Sequence, residues 1–196
     1  MVHLTLTAED GAVAFLGPAG IVSASAGKGY TCEWPIKVVG SQSWTMSGSD
    51  RIYFKRPLVP YTQGEICIRI EGGGGGVSFM ASSPHLTHSL AISNGTVNVA
   101  ANNALGLGTT YFDGTKVTLN LFGVTLDNPI VCTVNNASSG ARNEYLKGLA
   151  NKTNIFNGCY TMPYDGHAGL KGGSGTHTSS AAASRNHAVS STCVTT

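Results

Sequence analysis

The sequence predicts an all-β protein, an antiparallel β-sandwich or jelly-roll-like barrel of about eight to ten strands. Two observations predict this class. The first is the alternation of apolar and polar residues in several segments, which indicates strands with one buried face. The second is the pair of dipeptides Asn94-Gly95 and Asp113-Gly114, each flanked by alternating segments. Such a pattern is typical of two-residue β-hairpins.

The chain opens with a predicted strand at residues 2–7, followed by short strand candidates at 12–16 and 21–25. Residues 30–39 form the next candidate, and Pro35 indicates an edge or a bulge there. Residues 41–50 are polar apart from an embedded tryptophan and methionine, and residues 51–57 are basic and aromatic.

The clearest alternation covers residues 65–81, where isoleucines at 66, 68 and 70 and apolar residues at 77, 79 and 81 flank a run of glycine. The run consists of Gly72, Gly73, Gly74, Gly75 and Gly76. We expect the two halves to pair as a hairpin, because glycine supplies the positive φ angles of a reversal. The glycines themselves predict either a wide turn or a flexible loop that a ligand approaches.

The second half of the predicted body is an antiparallel meander. Residues 89–100 and 109–124 are the two hairpins, with type I′ turns at their Asn-Gly and Asp-Gly dipeptides. Residues 130–134 form a further strand. The one predicted helix is short, at 142–150, and Gly148 weakens it.

The composition changes near residue 165, which predicts a β-sandwich domain at 1–165 and a C-terminal arm at 166–196. The arm is rich in Gly, Ser, Thr and Ala and has no aromatic or acidic residue. It cannot bury enough apolar surface to offset its ordering entropy. We therefore expect its support to come from the domain's own surface, from a disulfide through Cys193, or from a neighbouring subunit.

Only 11% of residues are charged and the net charge is +2. This balance gives no broad attraction to nucleic acid or to an anionic membrane surface. No leader pattern and no apolar run of about 18 residues is present, so the sequence predicts no membrane insertion. An uncharged, hydroxyl-rich surface favours a virion, extracellular or cell-surface location.

Five cysteines are present, at Cys32, Cys67, Cys132, Cys159 and Cys193. An odd number allows at most two intramolecular bridges. Since two of the cysteines lie inside strand-like segments, the sequence slightly favours buried free thiols over bridges.

The sequence contains no recognisable catalytic or cofactor motif. The glycine run lacks the last glycine of a dinucleotide-binding motif and precedes a strand, and the segment near Lys28 lacks the leading glycine of a P-loop. His85 and His88 and three histidines of the arm match no metal-ligand spacing. No GxSxG motif lies between a strand and a helix. The sequence therefore predicts no catalytic residue, no cofactor and no metal site.

The candidate ligand-binding residues are Trp44, Asp50 and the five glycines at 72–76. Trp44 stands in a polar segment, where an exposed ring could stack on a sugar, and an aspartate can accept hydrogen bonds from sugar hydroxyls. The basic cluster of Arg51, Lys55 and Arg56 suits either an acidic ligand or a solvated strand edge.

Two functions follow as hypotheses. The first is a non-enzymatic structural subunit of a virion or extracellular assembly, such as a phage tail or capsid component or an appendage. Its partners are copies of itself or other assembly subunits. The alternative is a receptor-binding or adhesin domain with a lectin-like carbohydrate site, whose partner is a host-surface glycan or receptor.

Overall fold

The structure is a computed structural model. It describes residues 3–6, 12–23, 27–61, 67–72, 75–133, 143–149, 151–162, 169–171, 177–179 and 183–185. The all-β composition is confirmed, but the arrangement differs from the prediction. The described strands pair in parallel and stack as a β-solenoid, with about five turns between residues 29 and 132. The predicted antiparallel β-sandwich or jelly-roll-like barrel is therefore wrong.

The solenoid has three sides, which we name A, B and C, and each turn of the chain visits A, then C, then B. Side A contains β1 (His3–Leu6), β4 (Gly29–Cys32), β7 (Arg51–Phe54), β10 (Gly76–Phe79), β15 (Asn143–Gly148) and β18 (Gly169–Lys171). Side B contains β3 (Ile21–Val22), β6 (Gln42–Met46), β9 (Cys67–Gly72), β14 (Ile130–Cys132), β17 (Tyr160–Met162) and β20 (Ala183–Arg185). Side C contains β2 (Ala14–Leu16), β5 (Ile36–Val38), β8 (Leu58–Pro60), β13 (Thr125–Leu126), β16 (Asn154–Phe156) and β19 (His177–Ser179).

Two long strands, β11 (Ser89–Val99) and β12 (Thr110–Leu121), each bend from side B onto side A. These two strands occupy the places of both predicted hairpins. They pair with each other in parallel, with Leu90 opposite Thr110 and Val99 opposite Leu121. The predicted turns are wrong because a type I′ turn needs positive φ at both central residues. Gly95 has a φ of 103°, but Asn94 is not among the described residues with positive φ.

The described glycines of the run, Gly72, Gly75 and Gly76, lie at a corner between sides B and A, and the strands on either side of them are not an antiparallel pair. β9 ends at Gly72 on side B, and β10 begins at Gly76 on side A. A Cβ atom on Gly75 would lie 1.7 Å from the carbonyl oxygen of Asp50, in the turn below. The missing side chain therefore lets neighbouring turns approach closely, which is a structural reason for glycine at this corner.

The predicted helix at 142–150 is also wrong, because β15 occupies residues 143–148. Its residues lie beside β12, with Lys116 opposite Asn143 and Leu121 opposite Gly148. Leu146 is buried and Lys147 is exposed, which is the alternation of a strand. Pairing with a neighbouring turn outweighs the weak helix propensity of this short segment.

A single apolar core runs along the inside of the coil. Side chains from successive turns stack there: the ring centroids of Trp44 and Phe54 are 5.1 Å apart, and those of Phe54 and Phe79 are 5.7 Å apart. Full burial of one large apolar side chain stabilises a fold by about 1.5–3 kcal/mol. On the outside of side A, Asn120 donates to Asn98 and Asn98 donates to Ser78, so a polar ladder links three turns.

The described parts of the predicted arm pair with the chain's own preceding turn. β18, β19 and β20 lie in parallel beside β15, β16 and β17. Of the three supports expected for this segment, the described backbone uses the protein's own sheet. The division into domains at residue 165 stays a prediction.

The described residues include both free and disulfide-bonded cysteines. Cys32 and Cys67 are free thiols, whereas Cys159 is disulfide-bonded, so the preference for free thiols is wrong for Cys159. Cys193 lies outside the described residues. No helix in the described part of the chain has the length and apolar character to span a membrane.

Candidate functional site

Trp44 lies in the core and not on the surface. Its side chain is 0% exposed, and its indole N–H donates to the Gln42 side chain at 2.7 Å. Alternation in β6 places Gln42, Trp44 and Met46 inside the coil. The predicted exposure of Trp44 is therefore wrong, and in this conformation the ring cannot stack on a sugar.

Asp50 is also fully buried. One carboxylate oxygen accepts a hydrogen bond from the Ser23 hydroxyl, and the other accepts one from the Lys28 backbone N–H at 2.7 Å. These bonds join two neighbouring turns at the corner where Gly75 and Gly76 lie beside Asp50. Both carboxylate oxygens of Asp50 are therefore used in hydrogen bonds that hold the turns together. A ligand-binding role for Gly72, Gly75 and Gly76 stays a prediction, and Gly73 and Gly74 lie outside the described residues.

The basic cluster does not converge on one point. Lys55 forms a salt bridge of 2.8 Å with Glu33, and Arg56 Nε lies 3.4 Å from the Glu33 carbonyl oxygen. Arg51 is exposed on side A. The ion pair at the surface is worth little to stability, and it occupies one of the charges that an acidic ligand would need.

The two described loop histidines have different environments. His85 is exposed, and His88 is buried in the core, where burial lowers its pKa below the ordinary value of 6.5. Among the described residues, no group of three or more histidine, cysteine or acidic side chains could hold a metal ion. Most of the histidines of the arm lie outside the described residues.

The strongest described surface feature is an aromatic–lysine cluster on side C, formed by Phe15, Lys37 and Tyr61. Phe15 in β2 lies directly opposite Lys37 in β5, and Tyr61 follows β8 in the next turn. The two rings are 59% and 55% exposed, and their centroids are 5.2 Å apart in an edge-to-face arrangement. Lys37 Nζ lies 5.4 Å from the Phe15 centroid and 6.0 Å from that of Tyr61.

This arrangement combines apolar ring surface with a hydrogen-bond donor. The ammonium group is attracted to the ring faces, and it retains the capacity to donate to a hydroxyl or carboxylate of a ligand. The Tyr61 hydroxyl adds a second polar group at the edge of the cluster. Such amphipathic surfaces suit ligands that have both apolar and hydroxylated faces.

Phe15 and Lys37 were not among the residues predicted from the sequence to bind a ligand. The available signal was the repeat: β2, β5 and β8 place Phe15, Lys37 and Val59 opposite one another at a constant spacing along the chain. A solenoid aligns residues that are one turn apart. The candidates at 44 and 50 came instead from local polarity, which does not report which face of a strand is outside.

The fold defines the protein as a β-solenoid. No protein-family model, curated protein or solved structure matches the chain.

Proposed function

We propose that the protein is a non-enzymatic structural subunit of a virion or extracellular assembly, in which the solenoid stacks on copies of itself or on other assembly subunits. The observation that carries the proposal is the open edge at each end of the described coil. Within the described residues, β1, β2 and β3 at one end and β18, β19 and β20 at the other each pair with a single neighbour. Open strand edges offer backbone groups to another chain.

The composition supports this proposal. With few charges on the chain, little repulsion opposes pairing between edges. Among the described residues, Cys32 and His88 have shifted pKa values; Cys32 shares its cavity with Tyr30, and neither cavity has a second acidic, basic or imidazole side chain among its described lining residues. The described surroundings of these two groups therefore do not favour acid–base catalysis.

The test blocks one edge. The Ser23 backbone N–H donates to the Thr45 carbonyl within the coil. Backbone groups alternate in direction along a strand in a parallel ladder, so the N–H of Val22 points away from β6. Val22→Pro removes that outward donor, and Val22→Thr is the matched control. Light scattering coupled to size exclusion, over a concentration series, measures the mass of each variant.

We expect the wild type and Val22→Thr to form oligomers. Val22→Pro should associate only at a protein concentration at least tenfold higher. Head-to-tail stacking uses both ends, so weakening the edge at one end is sufficient to weaken association. A wild-type protein that stays monomeric over the whole series, or a proline variant that associates as well as the wild type, contradicts the proposal.

The exposed rings favour a second candidate, a receptor-binding or adhesin domain with a carbohydrate site at the aromatic–lysine cluster. A glycan array with the wild type, Phe15→Ala and Tyr61→Ala tests it, and Leu107→Ala serves as control because that side chain is exposed outside the cluster. A glycan signal lost in both ring variants and kept in the control supports this function. An absent signal, or one that the ring variants keep, rejects it.

A further inference from the structure

A cavity of about 300 Å³ lies inside the coil at its first described turns. All three sides contribute to its wall: Leu16 from side C, Ile21 from side B, and Tyr30 and Cys32 from side A. These residues are only partly buried and pack against the end of the core. The core is therefore incompletely filled here, whereas close packing is the rule in protein interiors.

The described lining is mainly apolar. None of the described residues that line the cavity has an acidic or basic side chain. Burial raises the pKa of the Cys32 thiol, so it stays neutral at physiological pH. The Ser23 hydroxyl, also in the wall, already donates to Asp50. Because a buried charge would find no partner in this wall, the cavity selects against charged molecules.

One lining residue carries an unsatisfied polar group. Trp34 borders the cavity, and its indole N–H is buried and has no acceptor among the described residues. A buried donor without an acceptor costs about 1–3 kcal/mol. A ligand that brought an acceptor to this N–H would remove the cost.

The cavity also has an exposed border. Phe15 and Val22 line it, and both side chains are mostly exposed to solvent. A ligand could therefore enter without unfolding of the coil. The volume lies at the lower end of the range for small-molecule sites, about 300–1,000 Å³, which limits the ligand to a small aromatic molecule of about two ring systems or to a medium-length acyl chain.

We propose that this cavity binds a small, neutral, mainly apolar molecule that carries a hydrogen-bond acceptor, such as an aromatic ketone or a medium-chain ester. The acceptor pairs with the Trp34 indole N–H, and the apolar part fills the space between Leu16, Ile21 and Ile52. This inference does not depend on the proposed assembly role, because the ligand lies within one solenoid.

The experiment uses N-phenyl-1-naphthylamine, a neutral fluorescent probe, in a titration of the full chain. We expect saturable binding to the wild type. Ala14→Phe fills the cavity and should weaken probe binding at least tenfold. Ala100→Phe, the same substitution at an exposed position, should leave probe binding within twofold of the wild type.

Acetophenone and ethylbenzene, which differ in the carbonyl group, then compete with the probe. Trp34→Phe removes the donor and keeps a ring. This substitution should weaken the binding of acetophenone about three- to tenfold, as the loss of one hydrogen bond predicts. The affinity for ethylbenzene should stay within twofold of the wild-type value. Equal effects on both competitors overturn the role of Trp34.

Methyl NMR shifts locate the probe independently, in case Ala14→Phe fails to fold. Shifts confined to Ala14, Leu16 and Ile21 support the cavity. Absence of saturable binding to the wild type, or shifts only at remote methyls such as those of Leu107, overturn the proposal.

Discussion

Replacement of His88 by leucine should stabilise the protein. The imidazole is 1% exposed, and neither ring nitrogen has a hydrogen-bond partner within the described residues. Its neighbours are apolar, among them Leu58, Phe79 and Leu105. A neutral imidazole contains one donor and one acceptor, and each buried unsatisfied group costs about 1–3 kcal/mol. After allowance for an imperfect fit, we expect His88→Leu to raise the free energy of unfolding by about 1–3 kcal/mol.

The same residue predicts a dependence on pH. Burial lowers the pKa of His88 in the folded state below its ordinary value of 6.5. Between these two pKa values the unfolded state binds more protons, so stability rises with pH. Above about pH 6.5, His88 is neutral in both states and the free energy of unfolding no longer depends on its protonation. Below that pH the free energy of unfolding falls as the pH drops toward the folded pKa, by at most about 1.4 kcal/mol per pH unit.

Urea unfolding at pH 8 and at pH 5.5 measures both effects in the wild type and in His88→Leu. His85→Leu is the control, because His85 is exposed. We expect the leucine at 88 to stabilise at both pH values and to stabilise more at pH 5.5. A His88→Leu protein that is less stable than the wild type, with an unchanged loss of stability between the two pH values, would refute the reasoning.

Two further substitutions test the packing of neighbouring turns. Gly75→Ala should lower the free energy of unfolding by at least about 3 kcal/mol, because the new Cβ would lie 1.7 Å from the Asp50 carbonyl oxygen. Gly17→Ala is its control: beyond its two chain neighbours, no atom of a described residue lies within 4 Å of the new Cβ, so the free energy of unfolding should change by less than about 0.5 kcal/mol. Asp50→Ala should lower the free energy of unfolding by about 2–4 kcal/mol, since it leaves the buried Ser23 hydroxyl and the Lys28 N–H without their acceptor. Asp127→Ala is its control: it removes only an exposed hydrogen bond from Asn157, so the loss should be less than about 1 kcal/mol. Urea unfolding measures all four variants, and equal losses in a variant and its control would contradict the account.

The sequence allowed the strands to be predicted but not their partners. Alternation places Ile68 and Ile70 inside and Arg69 outside in β9, as the structure has them. Alternation reports one strand at a time, however, and it is the same for parallel and antiparallel neighbours. The prediction of antiparallel pairing therefore rested on the Asn-Gly and Asp-Gly dipeptides. In the structure these dipeptides lie in the bends of β11 and β12.

The repeat was the missing information. Ala14, Ile36 and Leu58 lie one above another on side C, and their even spacing was readable. Elsewhere the spacing varies: Gly76 lies opposite Thr96, whereas Val131 lies opposite Thr161, so a turn takes between about 20 and 30 residues. Such variation hides the period from inspection.

The candidate site was harder to predict for the same reason. Phe15, Lys37 and Tyr61 are distant in sequence, and only the stacking of turns brings them together. Trp44 stood in polar surroundings, but its polar neighbours Ser43 and Thr45 point outward from β6 while the ring points inward. Local polarity therefore indicated a surface strand and not an exposed ring.

The most direct test of the solenoid is the pattern of interstrand nuclear Overhauser effects in an isotopically labelled sample of the full chain. Parallel stacking of the turns predicts contacts of Ile92 with Phe112 and of Val97 with Leu119, because these pairs are opposite one another in β11 and β12. Contacts that join Ile92 to Val97 across Asn94-Gly95, as in a hairpin, would contradict it.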